Sequence, residues 1–188
     1  MTESSSLTRR EILANVQRLC RSFGRNMAYY RAGWAMELRH LFEANPDSGN
    51  FWNTVNGNFL DMCVLDWCKL FGERNGNYSW KRIVADPDAF KRDLLEHLGL
   101  DDNAFDEEIR IFREYRDKWV AHLDRDRKGL YPRLDIARKA VWFYYERIGN
   151  EQVDQEISPK TIETGYKECE EEASTVYRQA AQTLLVRT

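Results

Sequence analysis

Residues 105–124 read FDEEIRIFREYRDKWVAHLD, and the spacing of their apolar side chains predicts one long amphipathic helix. At about 100° per residue, Phe105, Ile109, Phe112, Trp119, Val120 and Leu123 gather on one stripe, with Arg116 near its middle. An unpaired guanidinium in a core costs roughly several kcal/mol, so Arg116 needs a carboxylate partner, a subunit seam or a groove holding an anion. His122 follows about 120° around the helix and roughly 9 Å further along it. The two side chains therefore converge on one cleft only near the helix end, or by meeting the same pair from a second copy of the chain.

Upstream of this helix, Asp101 and Asp102 offer an N-cap, and Asp106, Glu107 and Glu108 suit the positive end of the helix dipole. Asp86-Pro87 is helix-start chemistry and Gly99 a stop, which predicts a short helix over 87–98. Further back, 51–71 reads as a helix with Trp52, Val55, Phe59, Met62, Cys63 and Leu70 on one face. Asp66 falls on that face too, and Asp66 or the nearby Asp61 is a candidate partner for Arg116. The competing reading puts Asp66 at the edge of the stripe, in contact with solvent. Residues 45–50, NPDSGN, form a dense turn signal. Before it, helical periodicity covers 7–22 and then 27–44, with Gly24 permitting a bend between two helices or within one. Residues 1–6 are polar and expected to be disordered.

Downstream, 123–129 is a charged loop closed by Gly129. As a connector it is simply solvated; as part of a site, Arg125, Arg127 and Lys128 would stand at the mouth of the cleft and steer phosphates. A helix over 132–148 carries more aromatic residues than one stripe needs, with Trp142 and Tyr145 to spare for packing or a subunit interface. After a polar linker, a last helix over 159–186 has a thin stripe and covers the bundle. No run of residues reads as a strand, a repeat or a glycine-rich phosphate loop. The chain is thus expected to be all-α, an antiparallel bundle of about six helices forming one domain over 7–188.

Composition narrows the function classes. With 188 residues, 43% of them hydrophobic and 13% aromatic, one sizeable core is affordable. The net charge of -3 supplies no global attraction for nucleic acid, so any RNA contact must be local. Cys20, Cys63, Cys68 and Cys169 contain no CxxC pair, and His40, His97 and His122 fall on separate helices, which argues against a metal site or other cofactor. No segment resembles a signal peptide or the ~20 apolar residues of a membrane span, so a cytoplasmic location is expected.

Arg116-Asp117-Lys-Trp-Val-Ala-His122 resembles the signature of the HEPN superfamily, in which Arg is followed by a polar residue and, after a short gap, by His. FREYRDKWVAHLDRD (112–126) and FWNTVNGNFLDMCVLDWCKLFG (51–72) are similar to two core helices of its abortive-infection branch, found in prokaryotic anti-phage and toxin-like systems. A second match, Arg92-Asp93 to His97, reads as a solvated helix face. The resemblance implies a HEPN-type bundle acting as a metal-independent endoribonuclease with 2′,3′-cyclic phosphate products. It also implies a homodimer, in which Arg116 and His122 of both copies share one site, and a possible antitoxin or regulatory partner. In that chemistry Arg clamps the phosphate and His moves protons. Asp117 would orient a His or touch substrate, and Tyr115 would lend its hydroxyl. Toxins of this kind that are silenced by tyrosine modification often carry Tyr two residues after the His, where this chain has Asp124. The alternative is a non-catalytic RNA-binding, regulatory or scaffold module, in which Arg116 and His122 only cap carbonyls and pair with acids.

Overall fold

The computed structural model describes residues 7–35, 46–73, 75–121, 131–150 and 161–185. Seven helices and no strand are present among them. α1 spans Arg9–Gly33 and α2 Pro46–Trp67, which continues as a π-helical turn over Cys68–Gly72. α3 is the single turn Trp80–Ile83, and α4 spans Pro87–Leu98. α5 spans Asp102–Tyr115 and widens into a π-helical stretch over Arg116–Ala121. α6 is Leu134–Asn150 and α7 is Ile162–Leu185. The chain is an all-α bundle, and none of the described helices is long and apolar enough to cross a membrane.

Local chemistry sets the helix ends. Thr8 and Glu11 form a reciprocal capping box at the start of α1, so two otherwise orphaned backbone donors are satisfied. Asp86 accepts from the Ala89 amide beside Pro87, and Asp101 accepts from the Ala104 amide. α4 ends where Gly99 turns left-handed at φ 66°, with Gly99 N–H donating to the Glu96 carbonyl and Leu100 N–H to that of Leu95. That pattern closes the helix as a Schellman motif. The NPDSGN stretch is not a turn throughout: Pro46 onward is already helical, the position at which a missing N–H costs least.

α1 is the axis of the bundle, lying along α2 and α7 and touching α6. The two segments separated by Gly24 are one unbroken helix. Gly24 is there for contact: a Cβ on it would sit 3.1 Å from the Trp142 ring. Trp142 fills that space and donates to Glu163 at 2.8 Å, while the Tyr145 hydroxyl accepts from Arg21 at 2.7 Å. The spare aromatics of α6 are therefore internal packing. In the core, Trp67 stacks on Phe112 with ring centroids 4.1 Å apart and on Phe71 at 5.2 Å, which ties α2 to α5. Trp80 stacks on Phe90, fixing the short α3 to α4.

Two helix faces differ from their sequence phase. On α7, where periodicity puts Ile162, Tyr166, Cys169, Ala173, Val176, Ala180 and Leu184 on the inner stripe, the buried residues are Ile162, Tyr166, Ala173, Tyr177 and Ala181, whereas Val176 is exposed. Tyr177 takes the inner position because its hydroxyl finds Asn56 on α2 at 3.3 Å. On α2 the deepest residues are Cys63, Val64, Trp67 and Leu70, and Met62 faces outward.

Candidate functional site

The end of α5 carries the residues singled out in the sequence. Up to Tyr115 the helix is regular; from Arg116 it widens. The π turn of α2 packs against the α5 segment just before this widening, so two irregular stretches lie close together. Widening lets Tyr115, Trp119 and Val120 all keep apolar partners while Arg116 turns outward.

Arg116 has a side chain 23% exposed, and its partners are Asp117 and Glu73. Nε and Nη2 both meet one Asp117 oxygen at 2.8 Å, while Nη1 lies 3.7 Å from Glu73 Oε1. Burial works against the guanidinium charge, but the bond to Asp117 prevails and holds its pKa above the ordinary value. One edge of the fork is thus occupied tightly and the other loosely. The nearby Cys68 thiol is buried and inert, pushed up to about 12 by desolvation.

Neither Asp61 nor Asp66 holds Arg116. Asp66 is 2% exposed between α2 and α1, with Ser22 donating to it and Lys69 and Arg25 more distant. Its Oδ2 has no hydrogen-bond partner, and burial raises its carboxyl above the usual range. Asp61 accepts from the Tyr115 hydroxyl at 3.0 Å, and burial raises its pKa despite that bond. Tyr115 therefore points away from Arg116, and burial together with Asp61 pushes the pKa of its phenol far up. Arg116 took Glu73 because the π turn of α2 brings the following residue to the α5 end, something α-helical phase does not foresee.

His122, Arg125, Arg127 and Lys128 lie outside the described residues, as do Asp124 and His40. His97 is on α4 against Phe143, and Arg92 pairs with Asp93 at the surface. Among the described residues no cluster of His, Cys, Asp or Glu could hold a metal ion.

Two clefts flank the α5 end. One of ≈ 500 Å³ runs along its outer face, lined among others by Lys81, Arg110, Arg113, Asp117 and Lys118. Arg110 is engaged by Glu107 and Glu114, and Lys118 by Glu114, but the Arg113 guanidinium forms no ion pair among the described residues. The other cleft, ≈ 540 Å³, opens on the opposite side between α1, α2 and α5. Tyr115, Trp119 and Tyr131 form an aromatic wall there, facing Asp61 and several asparagines. Sequence reasoning passed over this wall, although Tyr115 and Trp119 at i,i+4 were its visible signal.

No protein-family model, curated protein or solved structure matches the chain. The likeness to the HEPN signature therefore stands on residues 112–126 and 51–72 alone.

Proposed function

We propose that the chain binds RNA at the end of α5 and cleaves it without metal, with Arg116 as the phosphate clamp and His122 as the proton-transfer group. The observation that carries this reading is the guanidinium of Arg116. Asp117 fixes its orientation through one edge, and only a 3.7 Å contact with Glu73 occupies the other side. A phosphate would displace Glu73 and gain two charge-assisted bonds to a fork already aimed. Arg113 adds a second cation free of ion pairing among the described residues, and the stretch is π-helical, a geometry that recurs at functional sites. The HEPN resemblance adds a homodimer in which two Arg116/His122 pairs meet, a prokaryotic defence or toxin-like role and a neutralising partner.

The carboxylates on Arg116 favour a second reading, a non-catalytic RNA-binding or regulatory module, because a clamp that must first release an acid is idle until triggered. One experiment separates them. Purified wild type, Arg116→Ala and His122→Ala are incubated with total RNA in EDTA, the ends of fragments are mapped, and dimer mass is measured. Cleavage to 2′,3′-cyclic phosphates that falls roughly 10²-fold or more in both variants supports the nuclease. RNA binding that needs Arg116 but yields no fragments supports the module. Equal cleavage by all three proteins refutes the assignment of these residues.

A further inference from the structure

The aromatic cleft on the opposite side of α5 has a chemistry of its own. At ≈ 540 Å³ it is within the ordinary size of small-molecule sites. Trp119 stands nearly perpendicular to Tyr131, at 83° with centroids 5.1 Å apart, and Tyr115 lies 4.8 Å from Trp119. Tyr131 is 62% exposed, an unusual state for a ring in an aromatic cluster, and it leaves ring surface available for stacking. Among the described residues no lysine or arginine lines the cleft, so that lining offers a phosphate no countercharge. That described lining suits a flat, uncharged ring.

The polar groups narrow the choice. Asp61 is the one carboxylate among the described lining residues, and the Tyr115 hydroxyl holds one of its oxygens at 3.0 Å, which fixes the plane of the group. A carboxylate has about four acceptor sites, so it still takes two donors. Asn53 and Asn58, both exposed to the cleft, each offer a donor and an acceptor to the remaining edge. Among the bases, guanine presents two adjacent donors, N1–H and the 2-amino group, whereas adenine, cytosine and uracil each pair a donor with an acceptor. Stacking gains about 1–3 kcal/mol per base and is indifferent to its identity, so the carboxylate supplies the selection.

We propose that this cleft seats one unpaired guanine base, ringed by Trp119 and Tyr131 and held through its N1–H and 2-amino edge by Asp61. Tyr115 in the wall directly precedes Arg116 in the chain, so the cleft lies on the same stretch of α5 as the proposed phosphate clamp, on its other side. The base seat stands on the cleft itself; its assignment to a base within RNA, rather than to a free nucleoside, rests on the function proposed above.

Gly57 gives a clean test. It lines the cleft from mid-α2, and a Cβ added to it meets nothing within 4 Å, so Gly57→Leu fills the cleft while favouring the helix. The full chain is titrated calorimetrically with guanosine and with inosine, which lacks the 2-amino group, as wild type, Gly57→Leu and Asp61→Asn. Guanosine is expected to bind wild type, with inosine about tenfold weaker for loss of one bond to a charged group. Gly57→Leu should abolish binding with its thermal midpoint kept, and Asp61→Asn should erase the preference for guanosine over inosine. Absence of guanosine binding at millimolar concentration overturns the inference, as does equal binding of the two nucleosides or full binding by Gly57→Leu. The RNA arm keeps the two proposals apart. Guanosine binding without RNA cleavage leaves a nucleoside seat and removes the nuclease, whereas cleavage without guanosine binding or guanine preference does the reverse.

Discussion

Replacing Arg133 with alanine is expected to cost the fold about 2–3 kcal/mol, because of the group it would leave behind. Glu108 on α5 is 1% exposed, and the guanidinium of Arg133, just before α6, covers it. Arg133 Nε and Nη2 both donate to Glu108 Oε1, the Nε bond at 2.7 Å, and Glu108 Oε2 has no hydrogen-bond partner. Removing one member of a buried pair typically costs about 3–5 kcal/mol. The Arg133 side chain is 57% exposed, so water reaching the vacated space returns part of that, which gives the lower figure. In a chain of this length the melting midpoint should fall by roughly 5–10 °C. Glu108→Gln keeps an acceptor for Arg133 without the buried charge and should change stability by less than about 1 kcal/mol. Introduced into Arg133→Ala, it should recover at least half of the loss. Urea denaturation of the four proteins completes the cycle. A loss under about 0.5 kcal/mol in Arg133→Ala, or a Gln substitution that adds to the damage, would refute the claim that Arg133 neutralises a buried carboxylate.

Other outcomes follow from single positions. Gly33→Ala should cost about 2–3 kcal/mol in urea denaturation, since its Cβ would lie 2.7 Å from the Tyr177 hydroxyl and strike the Asn56 side chain that this hydroxyl bonds. Gly99→Ala forces a side chain onto φ 66° at the Schellman turn, and should lower stability by about 1 kcal/mol without affecting RNA binding. Asp66 makes stability depend on pH. Burial raises its folded-state pKa above the unfolded value, against the opposing pull of Ser22, Lys69 and Arg25. The folded state therefore holds the proton more tightly; this contribution is complete below the unfolded carboxylate value and is lost as pH climbs through the folded one. Urea midpoints should fall as pH rises above the unfolded aspartate value of about 4 in wild type, and Asp66→Asn should flatten that fall.

Features encoded within one turn of chain were legible in the sequence. Asp86-Pro87 and Gly99 bracket α4 as expected, and Asp101 caps α5, because each signal acts on backbone groups within a few residues. Partnerships across helices were not. Gly24 looks like a hinge until Trp142 is seen against it, and the inner face of α7 depends on where Asn56 waits for Tyr177. Asp66 and Asp61 were the candidate acids for Arg116, yet its partners are its neighbour Asp117 and, more loosely, Glu73, the latter beyond the reach of any calculation that keeps 3.6 residues per turn through residue 72. The aromatic cleft escaped notice for a related reason: Tyr131 belongs to no helix, so no periodicity places it beside Trp119.

The widened winding at 116–121 has an evolutionary corollary. A helix that has slipped from i→i+4 to i→i+5 bonding accommodates a surplus residue without unfolding, so losing one residue there would restore ordinary winding and leave the bearing of the flanking turns nearly unchanged. Trp67 against Phe112 lies upstream and would be untouched, and Trp119 would stay on the Tyr115 side of the helix. A one-residue change in length, ordinarily disruptive inside a helix, is here absorbed by the wide turn, so the site end of α5 can vary in length while the core stays in register.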